Sequence, residues 1–115
     1  MPETAITIRE SRDADIPAIA RIYAHHVLHG LASFEEVPPS VGEIGTRRVA
    51  ILERGLPYLI AERAGQVIGY CYAGPYRPRS GYRFTLEDSI YIAPDAQNKG
   101  VGRVLLERWL RRIRV

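Results

Sequence analysis

The stretch from Thr85 to Trp109, TLEDSIYIAPDAQNKGVGRVLLERW, restricts this chain more than any other. Thr85 to Ile92 reads as a strand, Pro94 and Asp95 as a loop, and the residues from Val101 as an amphipathic helix. Between them lies the turn Gln97-Asn98-Lys99-Gly100-Val101-Gly102. Gly100 and Gly102 lack a Cβ, so the backbone there is free to take positive φ and to lie close against a ligand. The first amides of the helix have no intrahelical acceptor and sit at the positive end of its dipole. Phosphate suits such a site. A G-x-G joint alone reads first as a structural turn that binds nothing. Two phosphate-binding loops are excluded. A Walker A loop needs Lys and then Ser or Thr where Arg103 and Val104 stand, and a dinucleotide fingerprint needs a glycine at Leu105.

Upstream, Ala5 to Arg9 alternates Ile6 and Ile8 with polar residues, as a short strand does. Asp13 is placed to cap a helix, Pro17 is tolerated in its first turn, and Gly30 suits its stop. Ile16, Ile19, Ala20, Tyr23 and Val27 form the apolar stripe of that helix. Leu31 to Pro39 is loop-like. Ser40-Val41-Gly42-Glu43 is a capping box that opens a second helix to about Arg54. Tyr58 to Glu62 and Gln66 to Ala73 read as strands about a tight Ala64-Gly65 turn, with Gly74 and Pro75 breaking the second. The order β-α-α-β-β-β-α predicts a mixed α/β fold with a sheet antiparallel through its middle.

A chain of 115 residues is expected to form one domain. No apolar run approaches the roughly 20 residues that span a membrane. The N-terminal MPETAITIRE has no basic segment followed by an apolar one, so no export signal is expected, and the one cysteine, Cys71, sits in an apolar strand where core packing is its expected role. A reducing cytoplasm is the expected compartment. Arg103, Arg108, Arg111, Arg112 and Arg114 crowd the last helix, where basic residues favour the dipole. That helix has no base-reading motif or interleaved aromatics, so no nucleic-acid partner is expected. His25 and His29 stand four apart, as a metal pair would, but no third ligand has motif spacing; no metal is expected, and a surface cluster or a rim of the acceptor pocket is the reading for these histidines.

Gln97, Gly100 and Gly102 match the pyrophosphate signature [RQ]-x-x-G-x-[GA] of the GCN5-related N-acetyltransferases, the GNAT family. Ala73-Gly74-Pro75-Tyr76, Arg79, Tyr82, Thr85, Glu87 and Ile90-Tyr91-Ile92 resemble its phosphinothricin (L-methionine sulfoximine) acetyltransferase branch, as do Phe34 and Pro38. The resemblance runs from about Ile6 to the end of the chain. It implies a GNAT-like acyl-CoA N-acyltransferase fold. Members of the family continue through a further strand, a helix and usually a hairpin, so this chain is expected to be truncated at its C-terminus, with those elements missing.

The resemblance further implies acetyl-CoA as co-substrate, its pyrophosphate on the amides of Asn98, Lys99, Gly100, Val101, Gly102 and Arg103, with Gln97 in the signature. The pantetheine arm would run beside Ile90, Tyr91 and Ile92, pairing with strand backbone as another strand would. The Ile92 amide is a candidate donor to the thioester oxygen. The acceptor is a small-molecule amine, mostly protonated near neutral pH, so a base is required. Glu87 is the candidate, acting directly or through a water in a ternary complex. Residue chemistry alone leaves it equally a solvated or salt-bridged strand residue, with Asp88 pointing the other way. Arg79, Tyr82 and Phe34 are candidates for holding an anionic amino-acid acceptor, Arg79 by its forked donors. They are equally a solvated loop arginine and packed aromatics. Two other readings stand: a catalytically impaired CoA-binding module, and acetylation of a protein amine. A homodimer is a further expectation of the resemblance.

Overall fold

Ala64 and Gly65 both take positive φ, 51° and 77°. That double left-handed corner is what a two-residue hairpin needs to match the twist of its strands, and it sets Arg63 opposite Gln66. In this computed structural model, residues 5–29, 37–76, 85–96 and 100–113 are described, with backbone alone at 73–76, 85–89, 95 and 113. The elements are β1 (Ile6–Glu10), α1 (Ile16–Leu28), α2 (Val41–Glu53), β2 (Tyr58–Arg63), β3 (Gln66–Tyr76), β4 (Thr85–Ile92) and α3 (Val101–Ile113). The four strands form an antiparallel sheet in the order β1-β2-β3-β4. Mixed α/β, in the expected sequence of elements, is the outcome.

Strand alternation, shifted by a bulge at Ile68 opposite Ala61 and Glu62, splits the apolar residues between two cores. On one face Tyr58, Ile60 and Tyr70 pack with Ile19, Ile22, Tyr23 and Val27 of α1 and Ile44 and Ile51 of α2. On the other, Ile8, Leu59, Ala61, Ile68 and Cys71 pack with Val101, Leu105 and Trp109 of α3. Cys71 is fully buried there. Among the described residues the product is three layers, with α1 and α2 on one face of the sheet and α3 on the other.

Three local expectations are corrected. β3 does not break at Gly74 and Pro75 but continues to Tyr76, paired with Thr85. The Ala93 amide donates to the Ile68 carbonyl at 2.8 Å, which fixes the phase of the β3–β4 ladder. By that phase Pro75 is a non-bonded position, so its missing N–H faces away from β4, beyond the last β2 pair at Tyr58 and Tyr72. Asp13 does not cap α1. A 3-10 turn at Asp13–Asp15 precedes the helix, Asp15 accepts the Arg12 amide at 2.7 Å, and the exposed Asp13 carboxylate accepts from Arg48. In the second helix Ser40 accepts from the Glu43 amide as expected, but the Glu43 carboxylate pairs forward with Arg47 at 3.1 Å. Gly30 lies outside the described residues; α1 ends at Leu28, with the His29 amide bonded to the His25 carbonyl.

Candidate functional site

The ladder phase that accommodates Pro75 also orients the end of β4. Tyr91 and Tyr70 form a hydrogen-bonded pair, whereas Ile90 opposite Cys71 and Ile92 opposite Gly69 are non-bonded pairs. The backbone N–H and C=O groups of Ile90 and Ile92 are therefore directed to the outer side of β4, a terminal strand of the four-stranded sheet. Their side chains are half-buried against the α3 core. Tyr91 points to the opposite face, edge-on to Tyr23 at a centroid distance of 5.1 Å and tilted on Tyr70 at 5.4 Å.

The register is continuous from Thr85 to Ile92 and sets Glu87 opposite Gly74 and Asp88 opposite Ala73. Alternation then assigns position 87 to the face that carries Tyr91, and position 88 to the α3 face. On the Tyr91 face the aromatics Tyr58, Tyr70 and Tyr72 stack with centroids 5.0–6.1 Å apart, and Tyr72 stacks on Tyr91 at 6.5 Å. Burial, reinforced by the neighbouring tyrosines, drives the Tyr58 and Tyr70 hydroxyls far above the ordinary phenol range. These rings are a neutral floor under α1 and α2.

After Ile92 the chain turns through a 3-10 segment, Pro94–Ala96, towards α3. Gly100 has φ +78° and its carbonyl accepts the Val104 amide at 3.2 Å, so Gly100 is the N-cap of α3. The amides of Val101, Gly102 and Arg103 are the first of the helix and have no intrahelical acceptor. Val101 buries its side chain completely in the α3 core, which pins this first turn. Gly102, in contrast to the sequence reading, is not one of the positive-φ glycines. A Cβ built on it would meet Ile90 Cγ2 at 3.6 Å, an ordinary contact. Arg103 is exposed and pairs with Glu107 at 3.6 Å. Phe34, Arg79, Tyr82, Gln97, Asn98 and Lys99 lie outside the described residues. What the described residues bring together is thus the outer backbone of Ile90 and Ile92 and the capped amides at Val101, Gly102 and Arg103.

One residue at this corner was missed. His26 is buried, its Nε2 lies 2.9 Å from the Ile92 carbonyl, and its ring meets Tyr91 edge-on at 5.2 Å. It is no part of a surface cluster. The signal was present in the helical period, since position 26 follows Ile19, Ile22 and Tyr23 on the buried stripe of α1. His25 and His29 stack at 4.1 Å, with His29 Nδ1 against the His25 carbonyl. Among the described residues no group of three or more His, Cys, Asp or Glu is gathered as a metal centre requires. No helix among them is long and apolar enough to cross a membrane. A hollow of about 680 Å³ opens between α1 and the β2–β3 hairpin, bordered by Arg21, His25, Gln66 and Pro94; none of the described catalytic or acetyl-CoA candidates lines it.

A strand edge that runs into a glycine-capped helix, in a sheet of this order, is the frame of an acyl-CoA N-acyltransferase. The Acetyltransferase (GNAT) domain matches residues 54–115, and the chain belongs to that family. It is 64% identical over 102 residues to the phosphinothricin N-acetyltransferase of Alcaligenes faecalis, an alignment that covers 89% of this chain and 52% of the relative. Among solved structures, a GNAT superfamily phosphinothricin acetyltransferase from Sinorhizobium meliloti in complex with AcCoA superposes with a TM-score of 0.84 at 44% identity, over 93% of this chain and 58% of that one. The protein yncA from Salmonella typhimurium, with its cofactor acetyl-CoA, gives 0.87 at 38% identity, over 96% and 64%. The chain therefore spans about half to two-thirds of the length of these relatives.

Proposed function

We propose that this chain carries the acetyl-CoA half of an N-acetyltransferase whose acceptor is the amine of a small amino-acid-like molecule of the phosphinothricin or methionine sulfoximine type. The observation that carries the reading is the run of the outward backbone of Ile90 and Ile92 into the glycine-capped amides of α3. An amide-bearing arm pairs with such a strand edge, and a diphosphate suits the helix N-terminus beside it. The residues present fit the co-substrate on both counts: Gly100 presents no side chain over the amides, and Val101 holds them from below. Similarity to the Alcaligenes faecalis protein supports the acceptor class.

In this reading the acceptor amine attacks the thioester carbonyl directly, its proton passing to Glu87 from the face that also carries Tyr91; the amide C–N bond forms, the C–S bond breaks, and coenzyme A leaves as a thiolate that takes up a proton. Direct transfer asks nothing of Cys71, which is buried in the α3 core. Ile90 and Ile92 contribute backbone alone, since their side chains pack inwards. Arg79, Tyr82 and Phe34 are proposed to hold the acceptor, and Gln97, Asn98 and Lys99 to complete the diphosphate turn.

A thiol-release assay with acetyl-CoA and L-methionine sulfoximine tests this, with coenzyme A binding followed in parallel. Release that depends on both substrates is the expected result. Binding without release would leave a coenzyme-binding module, and absence of binding would remove the acetyl-CoA reading altogether.

A further inference from the structure

The contact between His26 and β4 joins two elements that local sequence does not connect. His26 comes from the last turn of α1, and Ile92 ends the strand 66 residues later. A backbone carbonyl only accepts, so the imidazole must donate, and Nε2 carries the proton. Ile92 is a non-bonded position of the β3–β4 ladder, so its carbonyl is directed away from β3 and cannot be held by that strand. On the far side of this peptide, the Ala93 amide is fixed to the Ile68 carbonyl at 2.8 Å. The Ile92–Ala93 peptide is thus gripped at both ends, by β3 through its N–H and by α1 through its C=O.

We propose that His26 is a positioning residue for acyl transfer, holding the last peptide of β4 in the orientation that its outer edge needs to receive the acetyl-CoA arm. The inference rests on the acetyl-CoA reading above. It assigns His26 no contact with either substrate and no proton transfer. Without the Nε2 donor, this peptide loses its tie to α1, and binding must then restore its orientation at an entropic cost. The neighbouring Ile90 and Ile92 groups turn with it. The ring itself packs edge-on to Tyr91, and that packing is the competing explanation for a buried histidine here.

Two substitutions separate the explanations. His26→Phe keeps an aromatic ring against Tyr91 and removes the donor; His26→Gln loses the ring but places an amide nitrogen near the position of Nε2. Positioning predicts that His26→Phe binds coenzyme A about tenfold more weakly, the scale of one lost hydrogen bond. Binding by His26→Gln should stay within about threefold of the unsubstituted chain, a rescue on the same scale. Where turnover is measured, the acetyl-CoA KM should rise in His26→Phe and the acceptor KM should not. Unchanged binding by His26→Phe, or weaker binding by His26→Gln than by His26→Phe, would overturn the proposal and leave the acetyl-CoA reading intact. No binding by the unsubstituted chain would overturn both. Should either variant fail to fold, the His26 Nε2–H resonance of the unsubstituted chain decides during titration with coenzyme A. A shift on saturation supports the coupling, and an unmoved resonance overturns it.

Discussion

The two glycines of the turn into α3 perform different tasks, and alanine distinguishes them. Gly100 holds φ +78°, and a Cβ there would meet nothing within 4 Å. Gly100→Ala therefore introduces backbone strain without a clash. The left-handed conformation costs an L-residue about 1–2 kcal/mol, offset by about 0.4–1 kcal/mol from a stiffer unfolded chain. A net loss of about 1 kcal/mol follows. Gly102 lies in the first turn of α3 with ordinary φ, and its added methyl would rest 3.6 Å from Ile90 Cγ2. Gly102→Ala should therefore gain up to about 1 kcal/mol of helix propensity. The two variants then differ by about 2 kcal/mol with opposite signs, which separates their urea midpoints by about 1 M at a slope of about 2 kcal/mol per M. Coenzyme A titration supplies the functional half. Gly100→Ala should bind more weakly because the cap must shift, whereas the Gly102 methyl points at Ile90 and should leave affinity unchanged. Equal destabilisation by both would refute the assignment of Gly100 as the strained cap. A stable Gly102→Ala that no longer binds would mean that the ligand approaches from the Ile90 side.

Glu87→Gln should lower kcat by about 10²- to 10⁴-fold with little change in acetyl-CoA affinity; a fall in affinity with kcat preserved would remove Glu87 as the base. Arg48 is buried and donates to Ser11 Oγ at 2.8 Å and to the Ser11 carbonyl at 3.0 Å. Arg48→Met should therefore cost about 2–3 kcal/mol in urea unfolding. Its ion-pair partner Asp13 is 95% exposed, so Asp13→Ala should cost under about 1 kcal/mol, and a larger loss would show that the pair matters more than the Ser11 bonds. Asp15 accepts both arms of Arg9 at 2.8 Å, and this hydrogen bonding holds its carboxyl below the usual range against the opposing effect of burial. A folded pKa below the unfolded one contributes stability that is complete above the unfolded value of about 4 and is lost as pH falls through the folded value. Acid unfolding followed by circular dichroism should therefore lose part of its slope below about pH 4 in Asp15→Asn, and an unchanged slope would show that Asp15 is not the group responsible.

The parts of this fold that were legible in sequence are those in which one local rule decides. Ser40 caps α2 because a hydroxyl three residues before Glu43 can reach its amide, and the Ala64-Gly65 corner closes a hairpin because both residues tolerate positive φ. Tertiary context overrode such rules elsewhere. Pro75 reads as a strand breaker, yet β3 passes through it because the missing amide faces away from β4, and no property of Pro75 itself sets that phase. Asp13 reads as a cap, yet a buried arginine from α2 takes its carboxylate. His26 shows the same division within the candidate site. Helical periodicity is enough to place it on the buried face of α1, but a buried histidine needs a hydrogen-bond partner, and sequence does not say which. That partner, the Ile92 carbonyl, exists only once the ladder phase has directed it away from β3. The orientation of the β4 edge thus follows from a ladder phase that the Ile68–Ala93 bond marks and Pro75 merely accommodates, and the His26 bond ties its last carbonyl to α1. Of the glycine turn, the most conspicuous feature of the sequence, the described part is Gly100, which caps the helix that follows.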